Sequence, residues 1–298
     1  MIFITSRFAT DSLFTFGHHR LSSQPRAGAE RGSHMQTGFS FSKLVDRLAS
    51  IVELSPDDLD LLARMPSSIS HLGPRHHLVH RDYQPGHCHL LLQGYLCWRD
   101  LESPDGQITS IYVPGDVPDL HTIYDGRVDR ELLTLGPAVV ASVSHRYFRE
   151  ISALSSSLSR ALLRLLLTDA SCLRNWIVNL GSRDALTRVA HLLCEITIRL
   201  RAVGLAKDFR IPSPFTQSDL ATACGISAVH ANRIVQELRR SNLLQWHSKT
   251  ITVTDWNGLV RLASFDPDYL RLRDYDSIEQ QSAPTVAMNR MGADTLMT

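Results

Sequence analysis

No stretch of this sequence is long and apolar enough for a membrane-spanning helix, which needs about 18 consecutive apolar residues; every apolar run is cut earlier by charges or turn residues. Cysteine is scarce and unpatterned. The five thiols, Cys88, Cys97, Cys172, Cys194 and Cys224, are odd in number, and none stands in a C-x-x-C pair, so neither a disulfide framework nor a zinc or iron–sulfur motif is indicated. Reduced thiols in a cytoplasmic protein are the simpler reading. An excess of charge of one sign is also missing, since 31 Lys and Arg face 30 Asp and Glu. The chain is therefore not globally steered toward nucleic acid or an anionic membrane. Catalytic spacing is absent too. Ser110, Asp119 and His121 are the makings of a triad, but no nucleophile elbow or Gly-rich phosphate loop accompanies them, which argues against an enzyme.

What is present is an ordinary globular composition, 43% hydrophobic and 20% charged, with length for about two domains. The first 38 residues stand apart. MIFITSRFATDSLF is broken by Arg7, Thr10 and Asp11 before a signal-peptide core can form. SSQPRAGAERGSHM is small and polar, a composition that predicts disorder; its last four residues resemble a cloning scar, and Met35 is a second candidate translation start.

From Phe39 to Met65 the apolar residues Leu44, Val45, Leu48, Ile51 and Val52 recur at helical spacing, and Ser55-Pro56-Asp57-Asp58 restarts a helix with Ser55 as cap. Residues 71 to 144 change period. Short apolar or alternating runs separated by Gly, Pro and Asp turns predict a small antiparallel barrel or jelly roll, placing a sensor-like β-domain at 39–152. After His145 the helical period returns. Leu163, Leu166, Ala170, Leu173, Ile177 and Leu180 form one stripe, and Leu158, Leu162, Leu165, Cys172 and Trp176 form another beside it. Two adjacent stripes let one helix, 153–181, pack its own domain and a second copy of itself, so a homodimer is expected. A further helix runs from Arg183 to about Val203.

The segment 182–270 carries the chemistry, followed by a tail, 271–298, expected to be disordered. Between Arg201 and Arg261 eight Lys or Arg face four Asp or Glu, a local basic excess suited to phosphates. Thr216-Gln217-Ser218-Asp219 has a capping-box arrangement at a helix start. Ala223-Cys224-Gly225-Ile226 turns the chain, and Ser227 caps a second helix, 227–240, whose apolar positions are Val229 or Ala231, Ile234, Val235 and Leu238. Two short helices about a Gly-containing turn are the pattern of a DNA-binding helix-turn-helix. The alternating run Ile251-Thr252-Val253-Thr254, with His247-Ser248-Lys249 before it, adds a hairpin wing.

The stretch TQSDLATACGISAVHANRIVQELRRSNLL resembles the C-terminal winged helix-turn-helix of the Crp/Fnr family of transcription regulators, and the similarity extends over about Phe39 to Phe265 in the family's order of barrel, long helix and winged helix. The resemblance implies an α+β fold with a barrel of cyclic-nucleotide-binding type. It also implies a cytoplasmic, dimeric regulator that binds palindromic double-stranded DNA and meets RNA polymerase. The family places a Glu at the third position of the recognition helix and an Arg four residues later. Here Arg233 matches the Arg, while Val229 stands where the Glu would be. Arginine can bridge O6 and N7 of guanine, whereas valine offers only a methyl contact to thymine, so an altered base preference is expected. Ala228, His230 and Asn232 share that helix end, and Ser227, Gln217 and Thr216 sit at helix starts suited to phosphates.

For the sensor region the family senses cyclic nucleotides, iron–sulfur clusters, haem or nothing. Pro114-Gly115-Asp116 and Arg130 resemble the nucleotide-binding members, but the Gly-Glu-Leu element that holds the ribose is replaced by Asp119-Leu120-His121. Asp119 is a shortened acid at best, which argues against a nucleotide pocket. Nothing before Cys88 supplies the N-terminal cysteines of the oxygen-sensing members, so no iron–sulfur cluster is expected. His71, His76, His77, His80, His87 and His89, with His121 later, read as solvated turn histidines, and no metal site is assigned. The competing functional class is a ligand-sensing module whose C-terminal domain docks protein instead of DNA.

Overall fold

The computed structural model describes residues 41–81, 83–100, 106–213, 216–273 and 275. The N-terminal expectations for 1–38, and those for the tail beyond 275, fall outside these residues. Within the tail segment the chain is still packed at its start: the Arg273 N–H donates to the Ser50 carbonyl, and Leu272 and Tyr275 lie against the core.

Helix α1 (Ser42–Ala49) and helix α2 (Pro56–Ala63) precede the strands, and α2 begins as its sequence dictates. Ser55 accepts from the Asp58 N–H and Asp58 accepts from the Ser55 N–H, so the box closes reciprocally. Among the described residues seven strands follow in two antiparallel sheets. One sheet has the order β1 (Ser68–Leu72), β7 (Ala138–Ser144), β3 (His87–Gln93). The other has the order β2 (His77–Val79), β6 (Glu131–Thr134), β4 (Leu96–Asp100), β5 (Gln107–Tyr112). Of the expected barrel or jelly roll, the described strands form the second, a two-sheet, jelly-roll-like sandwich. The arrangement has a physical reason. Val79, Leu91, Leu96, Trp98, Leu132 and Val140 from both sheets make one core between them. The other face of the four-stranded sheet, with Cys97, Ile108, Ile111 and Leu133, packs into the helical core. With both faces covered, strands such as β4 lose the clean polar alternation of a solvated sheet.

A short helix α3 (Thr122–Asp125) links β5 to β6. The helical stretch after His145 is two helices, α4 (His145–Leu154) and α5 (Ser156–Ser182), because Ser155 leaves helical geometry and its side chain caps α5 at Leu158 N–H. Helix α6 (Ala185–Ala202), capped by Asp184, is buried at every position from Val189 to Leu200. A helix buried on all sides is a central post, and α6 carries the winged domain on one side and the sandwich on the other.

That post brings charge inside. The Asp116 carboxylate accepts from Arg47 Nε at 3.0 Å, from Arg199 Nη2 at 2.7 Å and from the Val113 N–H at 2.9 Å. Arg199 also donates to Glu195 Oε1 at 3.1 Å and to the Ile111 carbonyl. Glu195 accepts from Trp176 Nε1 and from the Tyr269 hydroxyl at 2.8 Å. Burial alone would raise the Asp116 carboxyl, yet Arg199 and Arg47 overcome it and hold it below its ordinary value. Pro114-Gly115-Asp116 therefore has a structural use in this chain. Gly115 has φ +96, and a Cβ there would lie 2.3 Å from the Lys43 carbonyl of α1, so the turn requires glycine for both reasons.

Candidate nucleic-acid interface

Helix α7 (Gln217–Cys224) opens with Thr216, whose side chain accepts from the Asp219 N–H while Asp219 accepts from the Thr216 N–H at 2.9 Å. Gly225, at φ +61, ends α7 in the left-handed conformation that glycine tolerates best. Helix α8 (Ala228–Arg240) starts at Ser227, which accepts from the His230 N–H at 3.2 Å. Ala231, Ile234, Val235 and Leu238 are its buried face. The structure thus chooses between the two apolar candidates: Ala231 is 0% exposed and Val229 66% exposed. The spacing from Ala231 to Ile234, Val235 and Leu238 puts these residues on one face and leaves Val229 pointing away.

The exposed surface of α8 includes Ala228, Val229, His230 and Arg233. Among the described residues Arg233 makes no hydrogen bond or ion pair, so its guanidinium is not consumed within the chain. Asn232 differs, because its Oδ1 accepts from Gln217 Nε2 at 3.4 Å and from Gln236 Nε2 at 3.3 Å. That small amide network ties the start of α7 to the middle of α8. Strands β9 (Leu244–His247) and β10 (Thr250–Val253) form the wing, with β8 (Arg210–Pro212) on the far edge of the same sheet. Ser248, at φ +52, makes the turn. Between α8 and the wing runs a groove lined by Gln217, Asn232, Gln236, Arg239, Trp246 and Ser248. Arg239 was marked in sequence only as part of the basic Arg239-Arg240 helix end, and Gln236 was not singled out; its signal was the helical spacing from Asn232 and Arg233 along the exposed face.

The helix-turn-helix is also docked on the sandwich. Arg75, in the turn before β2, pairs with Asp219 of the α7 capping box. Gln107 Nε2 of β5 donates to the Thr222 carbonyl at 2.7 Å. Neither contact leaves a trace in sequence, because the partners are 144 and 115 residues apart.

The two residues suggested for a nucleotide site have other partners. Arg130 donates to the adjacent Asp129 at 3.0 Å at the surface. Asp119 is fully buried and accepts from the His89 N–H at 2.8 Å, with its other oxygen 2.7 Å from His89 Nδ1. All five thiols are buried, and burial pushes them up, Cys97 and Cys224 to about 12; a thiol held protonated is a poor nucleophile and ligand.

On α5 the two stripes separate. Leu158, Leu162, Leu165, Cys172 and Trp176 are buried in the chain's own core. Of the other stripe, Leu163 is 56% and Ile177 71% exposed, and Leu173 is exposed as well. Among the described residues no helix is long and apolar enough to cross a membrane.

Comparison with known proteins agrees with this geometry. Residues 187–262 match the Crp-like helix-turn-helix domain, from the start of α6 through the wing into α9 (Trp256–Ala263). The anaerobic regulatory protein of Haemophilus influenzae is 25% identical over 162 residues, which is 54% of this chain and 62% of that protein. Residues 187–262 are thus a Crp-like helix-turn-helix domain. The fumarate and nitrate reduction regulatory protein of Escherichia coli is 22% identical over 163 residues, 54% of this chain and 64% of its own length. The matched region thus spans a little under two thirds of these curated relatives. Two solved structures share the fold. FixK2 from Bradyrhizobium japonicum superimposes with a TM-score of 0.58 at 18% identity, covering 66% of this chain and 98% of its own. A CRP-family transcriptional regulator from Thermus thermophilus, TTHB099, gives 0.52 at 16% identity, covering 65% and 96%. Within the Crp/Fnr fold, α7 and α8 are the helix-turn-helix pair and the two-sheet sandwich is the cyclic-nucleotide-binding-like domain.

Proposed function

We propose that this chain is a sequence-specific transcription regulator of the Crp/Fnr type that binds double-stranded DNA as a homodimer. The observation that carries the reading is the exposed, unpaired Arg233 on a capped helix whose opposite face is buried. In this reading Arg233 reads guanine and Val229 meets a thymine methyl or no base at all. Asn232, held by Gln217 and Gln236, sets the relation of the two helices and reaches a base or phosphate through its remaining donors. Thr216, Gln217, Ser227, Ala228 and His230 line the phosphate approach at the two helix starts. The working domains are a sandwich at 39–152, a dimerisation helix at 153–181 and a DNA-binding domain at 182–270. Its setting is the cytoplasm and its further partner RNA polymerase. The residues of the sandwich name no effector.

The test is fluorescence anisotropy on palindromic promoter fragments with half-sites about one helical turn apart. Arg233→Ala is expected to lose about 1–3 kcal/mol of specific affinity while leaving non-specific binding nearly unchanged. Affinity should fall steeply with salt, as phosphate contacts release counterions. Salt-insensitive binding, or none to any palindrome, sinks the reading.

Dimerisation is supported by the half-exposed stripe on α5. The double substitution Leu173→Glu with Ile177→Glu places charge in an apolar seam and spares the buried stripe. Analytical ultracentrifugation is expected to show a shift from dimer to monomer with unchanged helix content, and an unshifted dimer would remove α5 as the interface.

A further inference from the structure

We propose that His77, His80 and Glu131 form a binding site for a divalent first-row transition-metal ion at the edge of the four-stranded sheet. β2 pairs with β6 through His77 opposite Leu133 and Val79 opposite Leu132, and the register shifts between them. That irregularity, with the chain leaving the strand after Val79, brings the His77 and His80 side chains together although they are three residues apart. Their rings stack with centroids 5.3 Å apart and planes inclined by 11°. Both address one carboxylate: Glu131, at the first position of β6, contacts His77 Nδ1 and lies 3.8 Å from His80 Nδ1.

The three ligand atoms all lie within 4.8 Å of one another. An ion about 2.0–2.1 Å from each ligand in tetrahedral geometry needs its donors about 3.3 Å apart. His77 and Glu131, now in direct contact, must open slightly to that spacing, and His80, whose side chain is 67% exposed, must close on them. Glu131 is the better fixed partner, its side chain only 22% exposed. Two imidazoles with one carboxylate select zinc, cobalt, nickel or copper over magnesium or calcium, which prefer an all-oxygen shell. Three protein ligands leave a coordination position for water or a small ligand. Arg75, which pairs with Asp219 of the helix-turn-helix, stands two residues before His77.

The experiment is calorimetric and spectroscopic titration of the metal-stripped full-length protein with Co2+ and Zn2+ at neutral pH. One ion per chain is expected to be assigned to this site by difference, with visible cobalt bands of a low-symmetry site. The signal should be lost in the His77→Ala, His80→Ala double variant and kept in His71→Ala. Glu131→Gln, which retains shape and a hydrogen-bonding group, should weaken binding at least about 10–100-fold, the loss seen even when an outer-shell partner of a metal is removed. The proposal is overturned if the double variant and Glu131→Gln bind cobalt as the wild type does, or if the wild type takes up none at millimolar metal.

Discussion

Replacing Asp116 with alanine is expected to cost about 3–5 kcal/mol of folding stability, because the change leaves the Arg47 and Arg199 guanidiniums buried without their shared anion. The remaining anion, Glu195, reaches Arg199 at 3.1 Å but is committed to Trp176 and Tyr269 as well. Among the described residues Arg47 Nη1 and Arg199 Nε already lack hydrogen-bond partners, so neither arginine has acceptors to spare. Three segments meet at this carboxylate: α1 through Arg47, the sandwich turn through Asp116 itself and α6 through Arg199. The loss should therefore be global and appear as a lower urea midpoint with little change in slope. Asp116→Asn should be milder, since the amide oxygen still accepts from one arginine. A cost under about 1 kcal/mol for alanine would mean that water replaces the carboxylate and that the cluster is not buried as described.

Acidification is expected to remove up to about 3 kcal/mol of stability between pH 6.5 and pH 4, and His191 is the principal cause. Burial pushes this imidazole down to about 4 from its ordinary 6.5, with Arg183 adding to the effect. It is packed edge-on against Phe265 at 5.2 Å and stacked near Tyr269 at 6.0 Å, and among the described residues no carboxylate pairs with it. The sign follows from proton counting. Below pH 6.5 the unfolded chain binds a proton at this position and the folded chain does not until about 4, so stability declines as pH falls through that interval. His145 is depressed by burial in the same direction and adds to the slope. Depressed carboxyls act lower. For Asp58, burial opposes the shift, but Ser155 and Ser157 hold the group down at about 2. Its contribution is intact above its ordinary 3.8 and lost only as pH falls toward 2. Urea titrations at a series of pH values check the prediction. The His191→Phe variant should flatten the slope between pH 6.5 and 4, and an unchanged slope would place the acid sensitivity elsewhere.

Much of the interface was legible because capping and periodicity are local. Thr216 with Asp219, Gly225, and Ser227 before His230 are read within four residues of chain, and the structure realises each hydrogen bond. Helix α2 is the same case at Ser55 and Asp58. Periodicity also marked both stripes of α5, but it could not say which one the chain's own core would take. It likewise left Val229 and Ala231 as equal candidates for the inner face of α8, since both are apolar and both lie near the helix start. Turn spacing indicated a barrel or jelly roll but not which of the two, because sheet closure depends on which strands pair and not on how often they turn.

Other features lie beyond any local pattern. Arg75 and Asp219, His77 and Glu131, and Asp116 and Arg199 are pairs far apart in sequence, and no local pattern links either partner to the other. Pro114-Gly115-Asp116 was noticed through family resemblance, but what it does here depends on Arg47, Arg199 and the Lys43 carbonyl. The sequence by itself determined the elements, their order and the identity of the helix presented for recognition, because hydrogen-bonded caps and one-sided burial act over a few residues. Tertiary structure alone decided which apolar stripe stayed exposed, where buried charge was neutralised and which histidines came to face a carboxylate. Those outcomes depend on the distances between segments, which packing fixes and no local pattern encodes.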